Sequence, residues 1–474
     1  MVKRFCQACA LMALFMLVPV TGLAQFVRTS YFMDGAQYRL QLNPALAPER
    51  GYVNLPGIGQ VNASYYSNTL GLDDAIDVIK NAEDADYFTS NKFYDKLKDM
   101  NRMTLNAGTD LIGVGFWHGK EFMSVNVSVK ADGNLRAPLE MFTFMRDMKG
   151  VNANDYGNYN RSIKDGELSL NTYAEVGFSY TRIINEHVTL GGRVKGLLGL
   201  GNMNLKLHQV DVQTNLVGLD PHLDWTTADP LTLARAEGTA SVDVVAELES
   251  SMHGLNYIVN NKGYIDDIEF KAGKMGVSGF GAGLDFGIEY NVTKDISLSA
   301  AINDLGFIKW SKGNTIIAHA NTDDLDYDSD NPGDMERFAD VIATGKLLNW
   351  DMLRLNIDQQ GAKARTTNLT STLALGAEYR LVNDKLHLGM LYTNRFVKSN
   401  NQSELTLAVN YSPRSLLDFA VSYSPIMCGG QSFGLAMKLG PLFVGTDYMY
   451  LSNGTKCCNA LVGISVPLSS RSAE

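Results

Sequence analysis

The chain has 474 residues and a formal net charge of −10, a balance that lacks the basic face needed to bind nucleic acid. Glycine is frequent (44) and proline scarce (12), which is typical of long twisted strands and not of a disordered chain. Only Cys428, Cys457 and Cys458 follow the first 24 residues, too few for a disulfide-stapled scaffold.

Residues 1–24 have the three parts of a secretory signal peptide. Residues 3–4 are basic, an apolar core follows over 6–20, and residues 22–24 are suited to cleavage. The apolar core is too short to span a bilayer. We therefore predict an exported protein whose mature chain begins at Gln25.

Residues 25–57 lack strand alternation and contain a turn signal every few residues. They also carry many apolar side chains, which gain ~25 cal/mol for each Å² removed from water. We therefore expect this segment to be buried. A turn is predicted at Asn43, Pro44 and Ala45, because proline fixes its own backbone and an asparagine amide can bond neighbouring backbone groups.

Strand patterns begin at Ile58 and continue to Leu468. In each one, apolar residues alternate with small or polar ones, so that each strand has two different faces. Before residue 370 the predicted strands are 58–66, 103–117, 121–130, 167–181, 188–205, 275–290 and 296–305. From 370 to 468 the pattern repeats as a meander of strands with short turns between them.

Long and short connections alternate strictly along these strands. The long excursions are 70–100, 131–166, 206–274 and 311–368, and the first and second contain helical patterns. An even number of strands, about fourteen, with short turns at one end and long loops at the other is typical of an outer-membrane β-barrel. The alternative is a secreted β-sandwich, or two soluble barrels, with the same alternation around a dry core.

A local signature precedes several short turns. It is found at 286–292 and 375–381, and a looser copy lies at 176–182. Its tyrosine comes just before the turn, where an amphipathic ring suits the membrane interface. We therefore predict an all-β, closed antiparallel transmembrane barrel of about fourteen strands with long extracellular loops, embedded in the lipid of the bacterial outer membrane.

The predicted barrel comprises residues 58–468, followed by a periplasmic tail at 469–474. Because the chain enters at the short-turn end, the nearest place to bury residues 25–57 is the barrel lumen, where they would form a plug. The alternative is a periplasmic tail lying across the barrel mouth.

Candidate chemistry is sparse. The seven histidines show no metal-ligand spacing and no serine-base motif, so they are interpreted as loop or girdle residues, and we predict neither an enzyme nor a cofactor. A weak calcium candidate is formed by Asp326, Asp328, Asp330 and Asp334, whose spacing resembles a calcium loop. Asn331 replaces the glycine and Arg337 the glutamate of such a loop, which favours a solvated acidic loop instead.

The three cysteines are predicted to lie at the outer ends of neighbouring strands. A bridge from Cys428 to Cys457 or Cys458 and free thiols are both consistent with the sequence.

Residues 30–35 and 41–46 resemble the start of an uncharacterised Bacteroidota outer-membrane family, and 302–310 resembles an internal signature of that family. Asn43-Pro44-Ala45 is also similar to an element of long-chain fatty-acid transporter (FadL-like) barrels and of their type IX secretion (PorV-like) relatives. That resemblance implies a fourteen-stranded barrel plugged by its N-terminal segment, with a hydrophobic small molecule as a partner.

Two functions follow. The first is a plugged pore that passes a small or hydrophobic solute along a small, polar inner face that includes Ser422, Gly434 and Gly445. The second is a non-conducting outer-membrane binding or assembly component that acts through its acidic extracellular loops.

Overall fold

The computed structural model describes residues 28–81, 84–151, 155–225, 227–229, 232, 236–322, 325–331, 333–334, 353–358, 362–381, 385–397, 401–414, 416–427, 430–448 and 456–470. The predicted signal peptide at 1–24, the residues at 25–27, Arg337, Cys428 and the tail beyond Ser470 lie outside the described residues.

Strands dominate the described chain. Its helices are α1 (Leu72–Lys80), α2 (Ala85–Thr89), α3 (Asn91–Tyr94) and α4 (Leu139–Met148), and none is long and apolar enough to cross a membrane. Its strands are β1 (Arg50–Asn54), β2 (Gln60–Ser67), β3 (Met100–His118), β4 (Glu121–Pro138), β5 (Tyr159–Ile183), β6 (Val188–Val217), β7 (Glu237–Met252), β8 (Leu255–Val259), β9 (Ile265–Phe270), β10 (Gly279–Asn291), β11 (Ile296–Trp310), β12 (Thr315–Ala320), β13 (Tyr327–Asp328), β14 (Leu355–Ile357), β15 (Arg365–Asn368), β16 (Thr372–Leu381), β17 (Leu386–Arg395), β18 (Gln402–Arg414), β19 (Leu417–Met427), β20 (Gly430–Leu439), β21 (Leu442–Thr446) and β22 (Cys457–Ser470).

Fourteen strands close into one antiparallel barrel, as predicted. Around the ring they follow the order β2, β3, β4, β5, β6, β10, β11, β16, β17, β18, β19, β20, β21 and β22. The ring closes where β22 returns to β2, with Val462 opposite Val61. Closure leaves no unpaired sheet edge around the ring, and this satisfies the backbone of a strand that faces lipid.

The first wall strand is longer than the sequence pattern indicated, and it is broken. β1 pairs with β22 and β3 before β2 does, so the wall begins at Arg50 and not at Ile58. Residues 55–59 interrupt the strand between β1 and β2. Arg50-Gly51 resembles a turn in sequence, but Gly51 lies in strand β1. A glycine suits this position because a Cβ there would stand 2.8 Å from the carbonyl oxygen of Gly115.

The outer surface of the barrel is apolar, whereas the inner surface carries most of the polar side chains together with apolar patches that contact residues 28–48. On β5, Val176 and Phe178 point outward and are exposed, whereas Glu175 and Ser179 point inward and are buried. The same alternation exposes apolar side chains around the ring, among them Phe116, Val125, Leu190, Phe286, Leu298, Leu375, Met390, Val409, Val421, Leu435, Val444 and Val462. Tyr290, Tyr379 and Tyr411, each just before a short turn, are also exposed on this surface.

The long connections pack together at one end of the barrel into what we call the cap, built from the described residues of 70–100, 131–166, 206–274 and 311–368. β5 and β6 extend into it, and they have 25 and 30 residues, well beyond the ends predicted near 167 and 205. There β7 extends the sheet beside β6, and β12 and β13 pair with β7. One large apolar core joins these strands to α1–α4, with Phe93, Phe142 and Leu248 among its members.

Candidate functional site

Residues 28–48, the lumenal segment, lie inside the barrel. The segment consists of two short 3₁₀ turns, Arg28–Ser30 and Gln37–Gln41, joined by tight turns, and most of its side chains are fully buried. Its contacts reach strands on every side of the ring, which places it across the lumen. They include Thr29 with Ser422 of β19, Tyr31 with Ser299 of β11, Phe32 with Asn410 of β18, Gln37 with Ser465 of β22 and Pro44 with Thr181 of β5.

Asn43, Pro44 and Ala45 form a buried turn within this segment. The Asn43 Oδ1 atom accepts a hydrogen bond from the backbone N–H of Ala45 at 2.9 Å, and its Nδ2 donates to the Tyr31 hydroxyl at 3.1 Å. The hydroxyl of Thr181 donates to the Pro44 carbonyl at 2.6 Å. The asparagine amide thus hydrogen-bonds the backbone of its own turn, while the Pro44 carbonyl accepts a hydrogen bond from the wall.

Wall glycines leave the space that the lumenal segment occupies. A Cβ at Gly191 would overlap the backbone of Pro44, and one at Gly389 would overlap the ring of Phe32. The next residue along β6, Gly192, lies on the outer face between the exposed Leu190 and Val194, and a Cβ there would meet nothing nearer than the Asp285 carbonyl oxygen at 3.8 Å. The wall is therefore shaped to the segment at specific positions.

We expect Gly191→Ala to displace the Asn43–Ala45 turn, whereas Gly192→Ala should leave it in place. Overpacking of this kind costs about 1–3 kcal/mol when the neighbour is backbone that cannot rotate away. Limited proteolysis of the folded protein in detergent should cut within 34–48 much faster in the Gly191→Ala variant. Equal cleavage rates in the two alanine variants would contradict this close fit.

One end of the lumenal segment is fixed by a charged cluster. The backbone N–H groups of Arg28 and Thr29 donate to the two carboxylate oxygens of Asp447, at 3.0 and 2.8 Å. The Arg28 guanidinium pairs with Glu404 and hydrogen-bonds the hydroxyl of Tyr448. Ionised acceptors make stronger hydrogen bonds than neutral ones, so this cluster is a firm anchor.

A second cluster lies at the short-turn side of the lumenal segment. Arg39 pairs with Asp34 inside the segment, and the carboxylate of Asp34 lies 3.9 Å from His387 Nδ1. His387 is 2.7 Å from Glu378 and is only 1% exposed. His387 is therefore not a loop or girdle residue, as the sequence suggested. Its neighbours Leu388 and Met390 do point outward, and strand parity then turns His387 inward.

A bulge in β11 directs two consecutive residues into the lumen. The pairing of β10 with β11 shifts between Leu284 and Phe286, and Asp304 has a φ of 59°. A bulge breaks the in–out alternation, and aspartate tolerates this left-handed backbone better than most residues. Consequently the side-chain amide of Asn303 donates to the Leu42 carbonyl at 2.7 Å, while Asp304 pairs with Lys195 at 2.6 Å.

Lys195 is the centre of a buried triad. Its ammonium group lies 2.7 Å from Asp285 and 2.6 Å from Asp304, and all three side chains are almost fully enclosed. The backbone N–H of Asp304 also donates to Asp285 at 2.7 Å. The triad ties β6, β10 and β11 together opposite the lumenal segment.

The described part of the lumen contains two small polar cavities. The larger, about 50 Å³, is lined by Gln41, Gln60, Asn62, Asn106, Asp110, Ser128, Lys130, Asp132, Tyr173, Asp304 and Arg395, together with backbone at 107–109 and Thr370. The second, about 40 Å³, lies beside the Arg28 anchor and shares Asn106 with the first. Each holds a few water-sized groups and no more.

Two of the three inner-face residues proposed from sequence, Ser422 and Gly434, do not line open space, whereas Gly445 pairs with Ala436 and Leu461 in the wall. Ser422 and Gly434 point inward, but the hydroxyl of Thr29 lies 2.7 Å from Ser422, and a Cβ at Gly434 would overlap it. Small wall residues here accommodate the lumenal segment and leave no room for a solute. Strand alternation correctly identified the inner face but could not show what fills it.

The acidic residues Asp326, Asp328, Asp330 and Asp334 lie in the cap, and Cys457 and Cys458 lie at the start of β22. Asp328 accepts from the backbone N–H of Asp330, and Asp334 accepts from the Asn331 amide. Among the described residues no group of three or more histidine, cysteine or acidic side chains is placed to hold a metal, so Asp326, Asp328, Asp330 and Asp334 do not converge. Cys457 is buried and Cys458 half-buried at the start of β22, and a bridge to Cys428 stays a prediction.

These features define a closed fourteen-stranded β-barrel whose residues 28–48 contact the inner face of the wall. The chain belongs to the family of unknown function DUF5723, whose model matches residues 44–447. This membership confirms the resemblance to an uncharacterised family noted from the sequence.

No curated protein matches the chain in sequence. Among solved structures, the toluene transporter TbuX of Ralstonia pickettii is 9% identical to this chain. The alignment covers 95% of this chain and 100% of the TbuX chain, with a TM-score of 0.44. The Pseudomonas putida toluene transporter TodX is 8% identical, with 94% and 93% covered and a TM-score of 0.36. A Pseudomonas aeruginosa FadL homologue is 9% identical, with 94% and 97% covered and a TM-score of 0.30. Likeness at these values transfers neither a solute nor a mechanism.

Proposed function

We propose that the protein is a bacterial outer-membrane channel held closed by its lumenal segment, and that it admits a small polar solute when that segment shifts. The apolar outer surface supports the membrane location, because such a surface is stable only against lipid. The short turns would then face the periplasm and the cap would face outside.

The observation that carries the proposal is the set of polar contacts between the lumenal segment and the wall. Apolar clusters also pack the segment on the wall, but its hydrogen bonds are made to polar wall groups that include Asp418, Asp447, Ser465, Asn410 and Thr181. Water can replace each of these polar contacts, whereas a wall that was apolar throughout would remain dry. A shift of the segment would therefore open a hydrated path.

The same wall bears on the solute. Both cavities are lined mainly by amides, hydroxyls and charged groups, with Tyr173 and Tyr65 among the few aromatic side chains. Such a lining stabilises polar groups and penalises the transfer of an apolar molecule from lipid. A small polar solute is thus better supported than the hydrophobic molecule implied by resemblance to fatty-acid transporters.

A second function, a non-conducting binding or assembly component, is favoured by one observation. The cap has its own large apolar core, so it is a folded body and not a set of loose loops. A rigid body of this kind could present a fixed surface to a partner while the lumen stayed closed.

A disulfide lock separates the two functions. The hydroxyl oxygens of Thr29 and Ser422 lie 2.7 Å apart, so cysteines at both positions should form a bond of about 2.05 Å. In planar bilayers, the reduced Thr29→Cys/Ser422→Cys variant should show opening events that disappear on oxidation. The single Ser422→Cys variant, oxidised in parallel, controls for the native thiols.

Openings that persist in the oxidised double variant would show that the lumenal segment does not gate the path. If the parent and both variants are silent under all conditions, the channel proposal fails and the non-conducting function stands.

A further inference from the structure

Asp110 of β3 is a buried carboxylate without an ion pair. It is only 5% exposed and lines the larger cavity, and no basic side chain of the described chain lies within ion-pair distance of it. It accepts long hydrogen bonds, each 3.4 Å, from the amides of Gln41 and Asn54. Burying an uncompensated carboxylate is costly, so either a proton or a further cation is expected to neutralise Asp110.

Two neighbouring oxygen atoms also lack partners. The Asn62 Oδ1 and Ser128 Oγ atoms are buried without a hydrogen bond, their side chains are 5% and 2% exposed, and both line the same cavity. Strand register explains why they gather around Asp110. Ser128 lies directly opposite Asp110 on β4, and Gln60 lies opposite it on β2.

The cavity itself lies beside the next set of paired residues on β2, β3 and β4. Asn62 on β2 faces Gly108 on β3, which in turn faces Lys130 on β4. Because Gly108 has no side chain, the space between the Asn62 amide and Lys130 remains open above Asp110. A Cβ at Gly108 would stand 3.3 Å from Asn62 Oδ1 and would narrow it.

The basic groups nearby are already engaged. Lys130 lies 2.7 Å from Glu175, which also pairs with Arg193 at 2.7 Å, and Arg395 lies 2.9 Å from Asp132. The charged side chains that line the cavity belong to a network of ion pairs that extends beyond it. Counted with Asp110, this network has one surplus negative charge, because four basic groups (Lys130, Arg193, Lys195 and Arg395) face five acidic groups (Asp110, Asp132, Glu175, Asp285 and Asp304).

We propose that this cavity binds a small monovalent cation, held by the carboxylate of Asp110 and the oxygens of Asn62 and Ser128. Hard oxygen ligands and a single available carboxylate suit a monovalent ion, since divalent ions are bound by more carboxylates or by tight octahedral shells. A volume of about 50 Å³ admits an alkali ion with water or a primary ammonium group.

The cation would touch the lumenal segment through Gln41. The Gln41 amide donates both to Asp110 and, at 2.6 Å, to Gln60 Oε1, so a bound cation would compete with it for Asp110. The inference deepens the proposed function, because it assigns a positive charge to the solute that the cavity accepts. Only the assignment of charge to the solute rests on the proposed function. Cation binding itself can be measured without conduction.

The test is the stability of the intact chain in detergent at constant ionic strength. Choline chloride, whose charge is shielded by methyl groups and which has no N–H to donate, is replaced stepwise by sodium, potassium or methylammonium chloride, and the urea midpoint of unfolding is recorded. A ligand that binds the folded state raises this midpoint with concentration. We expect a rise for the parent, and at least about a tenfold weaker apparent affinity in Asp110→Asn, which loses the charged acceptor.

Ser128→Ala is the second variant, because its hydroxyl has no partner to lose and the protein should fold normally. It should weaken the cation response without abolishing it, while Asp418→Asn, a lumenal carboxylate outside the cavity, should leave the response unchanged. A response to alkali ions alone assigns an inorganic ion, whereas a response to methylammonium assigns the amine of an organic solute. A parent midpoint that is independent of all three cations overturns the proposal and leaves Asp110 as a protonated acid.

Discussion

Removing the middle of the lumenal segment should convert a closed barrel into an open one. The carbonyl oxygen of Asp34 accepts a hydrogen bond from the N–H of Glu49 at 2.9 Å, so the two ends of the loop already meet. Deleting residues 36–47 and changing Pro48 to glycine would join them as a four-residue turn around the same hydrogen bond. Strand β1 begins at Arg50 and is left intact.

The conductance of this variant in planar bilayers should exceed that of the parent by about an order of magnitude or more, because a fourteen-stranded barrel without its filling encloses an aqueous lumen. Pro48→Gly alone is the control for the altered turn. Folding of each variant is checked by its heat-dependent mobility on gels. A folded deletion that conducts no better than the parent would rule out the lumenal segment as the barrier.

Replacing Lys195 by methionine should produce the largest loss of stability of any single change in the wall. The substitution keeps the length of the side chain but leaves Asp285 and Asp304 buried together without a cation. Breaking a buried ion pair by removing one partner costs about 3–5 kcal/mol. The expected result is a correspondingly lower free energy of unfolding in urea, measured in detergent with tryptophan fluorescence.

The matched control is the triple variant Lys195→Met/Asp285→Asn/Asp304→Asn. It removes all three charges but keeps an oxygen at position 285 to accept from the Asp304 backbone, so most of the lost stability should return. With the Asp285→Asn/Asp304→Asn variant as the remaining corner of the cycle, the coupling energy separates the charge effect from the loss of packing. A loss below about 1 kcal/mol in Lys195→Met would show that water or a second cation already compensates the two aspartates.

The barrel itself could be predicted because its determinants are local. Alternation along β16–β22 follows directly from the side-chain period of a strand, and each short turn lies next to the strands that it joins. The start of the wall at Arg50 could not be predicted, since the glycine at position 51 is explained by the approach of Gly115 from another strand. The sequence shows that a glycine could form a turn, but it does not show that a neighbouring strand leaves room only for a glycine.

The lumenal ion pairs were missed for a different reason. Lys195 and Asp304 are 109 residues apart, and their meeting depends on the register of β6, β10 and β11. The bulge at Asp304 also reverses the in–out parity from which an inward position would be inferred. The inward position of His387 could have been predicted, because the alternation of side chains along β17 alone places it in the lumen.

The anchor of the lumenal segment also constrains how the protein assembles. Thr29 and Asp447 are 418 residues apart, and the closing seam joins β2 to β22. Contacts between such distant residues form late, because loop-closure entropy must be overcome before they contribute. We therefore expect the anchor of the segment and the closing seam to form late, after the neighbouring strands between them have paired. Placement of the N-terminal segment and closure of the wall then both depend on the two ends of the chain being present together.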